Sequence, residues 1–301
     1  HCLDLLVSKN RTVQPKHQTM RASLDWSWGL LTEDEQVFLR QLSVFAGGWT
    51  LGSAQVVCDG DALNLMSKVA KKSLIMVDQE AGHDTRYRFH EIVRQYAREK
   101  LVESSEEEKI STRHLRYFQG LSEQAESALR GPKQARWFSL LFDERDNIRA
   151  ALSWANDTGD VEAGMYITSG LDRFWDNFDI REGLGWLDEF LHKPKSKAYP
   201  VARAKALCTQ GRYLEYLQQS VQARSAAHES LDLCRAYGDK EGEIDALLLL
   251  GLMSDPLTSI ELNLQALALA QALDDTLRQA DALNNLGFDN RDIKTRVGYC
   301  E

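Results

Sequence analysis

The chain has 301 residues, 45 acidic and 36 basic side chains and a formal net charge of −9, with 43% hydrophobic and 27% charged residues. This is an ordinary globular composition, which excludes wholesale disorder, and at ~100–200 residues per domain the length suggests about two domains. The acidic balance excludes a general binder of nucleic acid or anionic membrane and leaves only local basic patches for such partners.

Residues 1–16 read as the end of a preceding helical domain, with Leu3, Leu5, Leu6 and Val7 followed by a loop to Pro15. Met20, Leu24, Trp28 and Leu31 then recur at four- and three-residue steps, a helical pattern. Thr32–Glu35 is a capping box that opens a second helix with Val37, Phe38, Leu42 and Phe45 inward. Gly47-Gly48 is expected to end that helix. Thr50–Val57 reads as a third helix, and Asp61 caps a fourth with Leu63, Leu65, Met66 and Val69 as its apolar positions. The period then changes. Ser73–Asp78 and Arg86–His90 read as two strands joined by the turn Glu80–Asp84, a hairpin behind a helical trio. That is the plan of a winged helix-turn-helix, placed at 17–104. Glu91–Glu103 is helical with Ile92, Tyr96 and Leu101 on one side, and the polar break Ser104–Glu108 marks the boundary.

Beyond the boundary the pattern is helical throughout. Residues 105–200 read as degenerate helical repeats carrying Trp137, Leu140, Leu141, Ile148, Leu152 and Trp154 as anchors. From 201 to 287 a repeat is visible: Leu231, Leu247 and Gly251 recur as Leu267, Leu283 and Gly287 at an offset of 36 residues. Gly211 precedes Gly251 by 40. A helical repeat of this length, with Ala227, Ala246, Ala266, Ala270 and Ala282 as small contacts, resembles a tetratricopeptide solenoid. The tail 288–301 has no amphipathic period and reads as irregular. The expected fold class is therefore mostly α: a winged helix with a small β-hairpin, followed by a tetratricopeptide-like solenoid.

The five cysteines (Cys2, Cys58, Cys208, Cys234 and Cys300) are odd in number and lack CxxC spacing. A disulfide framework or cysteine-rich zinc site is not expected, and Cys58, Cys208 and Cys234 read as small core residues. The longest apolar stretch, Ala246–Met253, is far short of the ~20 residues that cross a bilayer, and no signal peptide opens the chain. A chain that opens on His1 and ends within a repeat pattern reads as a piece of a longer cytoplasmic protein.

Four segments together resemble one family: Met20-Arg-Ala-Ser-Leu-Asp-Trp-Ser-Trp-Gly-Leu-Leu31, Phe38–Gly48, Arg94–Leu101 and Asp146-Asn-Ile-Arg-Ala-Ala-Leu-Ser-Trp154. The family is the bacterial STAND signal-transduction ATPases with an NB-ARC-type nucleotide-binding module, many of them LuxR-type or activator-like transcriptional regulators. The resemblance spans residues 1 to about 287. It implies a P-loop domain, a helical domain, a winged helix and tetratricopeptide repeats in that order. No G-x-x-x-x-G-K-[ST] occurs in this chain, so it is not expected to hydrolyse ATP or to be an enzyme, and it carries no cofactor of its own. ADP or ATP would belong to the full-length protein.

The resemblance also implies a site. Phe89-His90-Glu91 resembles the Met-His-Asp motif whose histidine touches the β-phosphate of ADP in the closed state; the alternative is a histidine that ends a strand and caps a helix. Lys68, Lys71, Lys72, Arg86 and Arg88 are the candidate DNA contacts, within a segment (68–100) that carries eight basic against five acidic residues. In this family the winged helix is generally an intramolecular packing module, so direct DNA reading is the rival. The seven tryptophans read as helix-packing anchors, and Asp143, Glu144 and Asp146 as a solvated helix face. His83, His114 and His228 have no partner at metal spacing, so neither a catalytic nor a metal residue is assigned. The expected function is a regulatory sensor whose repeats bind a protein, peptide or small inducer. The winged helix would relay occupancy to its own ATPase domain. The alternatives are a DNA-binding winged-helix factor and a non-switching adaptor.

Overall fold

The structure is a computed structural model that describes residues 15–78 and 85–298, with side chains for 20–78 and 85–287. The expected helix end before Pro15, the turn Glu80–Asp84 with His83, and Cys2 and Cys300 lie outside the described residues. The chain divides into two compact units: His1–Tyr117 with Phe142–Ala151, and Phe118–Leu141 with Leu152–Glu301.

The first unit contains α1 (Pro15–Gly29), α2 (Glu33–Leu42), β1 (Trp49–Thr50), α3 (Leu51–Val57), α4 (Ala62–Lys71), β2 (Ile75–Asp78), β3 (Arg86–Phe89) and α5 (Glu91–Glu103). The sheet order is β1-β3-β2, antiparallel throughout, with Trp49 opposite Tyr87 and Ile75 opposite Phe89. Helices α2, α3 and α4 with this sheet form the winged helix-turn-helix. Local chemistry sets the helix starts. Thr32 accepts from the Glu35 amide while Glu35 reaches back to the Thr32 amide, Thr50 and Ser53 repeat that exchange, and Asp61 accepts from Asn64. Each such cap is worth about 1 kcal/mol.

Phe38, Leu42, Phe45, Trp49, Val57 and Val69 make the centre of the core, each fully buried. Three expectations are corrected here. Leu63 and Ile92, expected inward, are exposed, because α4 and α5 turn their apolar faces through Leu65, Met66 and Val69 and through Tyr96, Ala97 and Leu101. Helix α2 ends at Leu42, before the glycine pair. Gly48 instead turns the chain into β1 with φ +91, where an added Cβ would stand 2.7 Å from the Tyr87 carbonyl oxygen. A side chain is excluded there both by backbone conformation and by space.

Helices α6 (Glu107–Ala128) and α7 (Gln134–Thr158) each supply residues to both units. The second unit continues with α8 (Val161–Gly170), α9 (Asp172–Phe178), α10 (Ile180–His192), a 3-10 turn at Pro194–Ala198, α11 (Pro200–Tyr216), α12 (Ser220–Tyr237), α13 (Lys240–Leu252), α14 (Pro256–Ala272) and α15 (Thr276–Gly298). From α11 onward each helix packs on the next. Alternate helices α11, α13 and α15 also touch one another, the stacking of a helical solenoid.

The five alanines expected at helix contacts are all fully buried, as are the free thiols of Cys58, Cys208 and Cys234. The repeated glycine has a packing reason in two of its three copies. An added Cβ would lie 3.1 Å from the Ala223 carbonyl oxygen at Gly211 and 2.9 Å from the Asn263 side chain at Gly251. The tail expected to be irregular from 288 is instead helical to Gly298. No proline or glycine falls between Gly287 and Gly298, and backbone hydrogen bonding needs no amphipathic period. Among the described residues no helix is long and apolar enough to cross a membrane.

Candidate functional site

In the winged-helix unit, three of the five candidate DNA contacts are engaged in ion pairs. Arg86 on β3 donates to Glu144 at 2.5 Å and to the Asp143 carbonyl oxygen at 3.3 Å. Arg88 pairs with Asp78 across the hairpin at 2.8 Å. Lys72 donates to Glu35 at 2.7 Å and to the Leu30 carbonyl oxygen at 3.2 Å. Lys68 and Lys71 are exposed on α4. The structure therefore brings Arg86 and Lys72 to the buried carboxylates of Glu144 and Glu35, and leaves Arg88 in an exposed pair and two lysines facing solvent.

His90 occupies the N-cap position of α5, directly after β3, and its exposed side chain makes no cap hydrogen bond. His90 thus ends the strand and starts the helix through its backbone, its carbonyl oxygen accepting from the Arg94 amide at 3.0 Å. The first turn of α5 carries Glu91, which accepts from Arg94 at 2.9 and 2.8 Å and from Gln95 at 2.9 Å. These donors hold the Glu91 carboxyl below the usual range.

Sequence reasoning missed the polar centre of this unit. Asn147 is fully buried. Its Oδ1 accepts from the Ala46 and Gly47 amides at 2.7 and 3.3 Å, and its Nδ2 donates to the Gly48 carbonyl at 2.8 Å and to Glu144 at 2.6 Å. Glu144 in turn accepts from Arg86. Glu144, expected on a solvated face, is therefore a buried structural carboxylate. The tryptophan expectation needs the same correction. Trp49 and Trp175 are fully buried, but Trp49 anchors a strand and not a helix, and Trp26 is 69% exposed.

His114 on α6 packs edge-on against Phe45 and hydrogen-bonds Asn147. Burial pushes its pKa down to about 3, against the pull of that hydrogen bond. A histidine with a lowered folded pKa binds its proton mainly after unfolding, so its stabilising effect is complete above about pH 6.5 and declines toward pH 3. The expected loss is about 1.4 kcal/mol per pH unit in that window, about 2 kcal/mol at pH 5. Urea midpoints at pH 7 and 5 measure it. His114→Gln should flatten the dependence; an unchanged slope assigns it to other groups.

In the helical unit, α11, α13 and α15 line a groove with α6, α8 and α9. One cavity there has a volume of about 410 Å³ and is crossed by ion pairs. Lys205 meets Glu126 at 2.5 Å, Arg212 pairs with Asp172, and Arg278 grips Asp245 through two bonds of 2.9 and 2.8 Å and Asp275 at 2.7 Å. A second cavity of about 230 Å³ shares Arg130, Asp172, Arg212 and Asp245 with it. These residues lie on helices far apart in sequence, which is why no local spacing announced the groove.

No family model matches the chain. Among curated proteins, the Mycobacterium tuberculosis protein named "Putative HTH-type transcriptional regulator Rv0890c" is 31% identical over 290 residues, covering 91% of this chain and 32% of that protein. The Mycobacterium bovis protein "Putative HTH-type transcriptional regulator Mb0914c" matches with the same figures. A shorter match, 36% identical over 112 residues, covers 35% of this chain and 28% of the uncharacterized M. tuberculosis protein Rv0894. The chain thus spans about a third of the length of the curated regulators it matches. Among solved structures, the STAND protein with a tetratricopeptide repeat sensor PH0952 from Pyrococcus horikoshii aligns over 89% of this chain and 49% of its own, at 19% identity and a TM-score of 0.37.

Proposed function

We propose that this chain is the regulatory and sensing portion of a larger signal-transduction protein that acts in transcriptional control. The helical unit takes up a protein, peptide or small inducer in its groove. The winged-helix unit relays that occupancy to a nucleotide-binding domain, which holds ADP or ATP, while this chain catalyses no reaction. His90, exposed at the start of α5, adds a contact to the ADP phosphate in the inactive state. The relay requires an effector that prefers one state, since equal affinity for both shifts nothing.

The observation that carries this reading is the commitment of Arg86 and Lys72 to the buried carboxylates of Glu144 and Glu35. A DNA-reading wing needs such cations at phosphates. The names of the mycobacterial relatives, HTH-type transcriptional regulators, support a place in transcription. A gel shift across a salt series tests the assignment. Weak retention that Lys68→Ala and Lys71→Ala leave nearly unchanged is expected. Tight retention whose salt dependence drops by about one unit of log–log slope per lysine removed establishes the DNA-reading alternative. In the full-length protein, His90→Ala is expected to speed ADP release, and unchanged retention removes the phosphate contact.

A further inference from the structure

The third unit of the repeat array is open where the first two are closed. Four positions recur on the inner helices. On α11 they are Ala204, Leu207, Cys208 and Gly211, and 40 residues later on α13 they are Ile244, Leu247, Leu248 and Gly251. All of these are buried. The helix that follows each one does the covering, since Gly211 abuts Ala223 of α12 and Gly251 abuts Asn263 of α14. A further 36 residues on, α15 carries Ala280, Leu283, Asn284 and Gly287 at the same positions. These four are exposed, Leu283 by 56%, and a Cβ added at Gly287 meets no described atom within 4 Å.

The exposed leucines of α14 are a different case. Leu257 and Leu264 have Val221 and His228 as counterparts on α12, and these are exposed as well, so that face is open in both units. The two faces also differ in charge. The outer faces of α12 and α14 carry Asp232 and Glu261. On α15, Thr276 and the four repeat positions fall within about 100° around the helix, and none is charged.

In the first two units the cover is an antiparallel helix that returns after a short turn. Helix α12 starts at Ser220, nine residues after Gly211, and α14 at Pro256, five after Gly251. Helix α15 makes no such turn and runs eleven residues past Gly287 to Gly298. Its own continuation therefore does not cover the face as α12 and α14 do. A two-fold axis provides the same arrangement. It sets two α15 helices antiparallel, and a face without charge is complementary to its own copy. With the axis between Leu283 and Asn284, Ala280 of one copy stands opposite Gly287 of the other. Small residues at that point let two helix backbones approach closely.

We propose that a second copy of this chain covers this face, α15 packing antiparallel on α15 across Ala280, Leu283, Asn284 and Gly287. This adds a self-association surface to the sensing role and does not depend on it.

Sedimentation equilibrium of the 301-residue chain over a dilution series tests it. A reversible dimer is expected, with hydrogen exchange in α15 slowing as concentration rises. A chain that stays monomeric at about 0.5 mM overturns the proposal. Leu283→Asp and Gly287→Glu are each expected to weaken the dimer about tenfold or more. Both positions are open in the single chain, so neither variant should lower the unfolding midpoint measured where the parent is monomeric. Leu264→Asp on α14 should leave association unchanged. A dimer that survives both α15 variants, or that Leu264→Asp disrupts equally, lies on another face and overturns the proposal. A full-length protein that is monomeric with α15 already protected overturns it too, and assigns the face to another segment of the same polypeptide. The dilution series uses the unaltered chain, so it decides the matter even where a variant fails to fold.

Discussion

Asn147→Ala is expected to destabilise the winged-helix unit by about 2–5 kcal/mol, a large part of the ~5–15 kcal/mol that holds a domain folded. The magnitude comes from what is left behind. The Gly48 carbonyl loses its donor in a buried position, at about 1–3 kcal/mol, and the Ala46 and Gly47 amides lose their acceptor at an exposed and a half-buried residue, at about 0.5–1.5 kcal/mol each. Glu144 loses a donor at the same time, leaving Arg86 as its remaining charged partner. Asn147→Asp is a sharper probe. It keeps the acceptor for Ala46 and Gly47, removes the donor to Gly48, and places a second carboxylate against Glu144. Urea unfolding followed by tryptophan fluorescence reads both variants. A loss below about 1 kcal/mol for the alanine variant means that the loop 46–48 finds other partners, and the network is then not what fixes it.

Trp49→Ala is expected to cost about 3–5 kcal/mol, the range for removing a buried large aromatic. Trp49 is fully buried, packs at a tilt against Phe89 and Phe45 with ring centroids 4.8 and 5.9 Å away, and directs its indole N–H to the Met66 sulfur at 3.4 Å. No neighbour can refill that volume, because β1 is held by antiparallel pairing to β3 and by the capping box of α3. Trp26→Ala is the contrast. With 69% of its surface exposed, it should change stability by less than about 0.5 kcal/mol. Equal effects at the two positions would contradict the burial described for this unit.

These two residues mark the limit of sequence reading. The capping box at Thr32 and the cap at Asp61 were legible because a cap is written within four consecutive residues, whereas the box at Thr50 was not, since Ser53 stands where the usual pattern has Glu or Gln. The hairpin was legible because strand alternation has a period of two. The alanine contacts of the solenoid were legible because the repeat recurs at a constant offset. Strand β1 was not, since two residues carry no period. The face of α4 was misread at Leu63, since periodicity alone does not say which edge of an apolar stripe meets the core.

The candidate site divides in the same way. The sequence by itself determined that a helical trio with a wing precedes a helical-repeat array, and that His90 stands at the junction of strand and helix. Only the tertiary structure decided which charges are available. Arg86 and Glu144 are 58 residues apart, and Asn147 and Gly48 are 99 apart. An ion pair or a buried hydrogen bond depends on distance in space, and chain separation does not encode that distance. The groove of the helical unit follows the same rule, because its lining comes from helices that become neighbours only when the solenoid stacks.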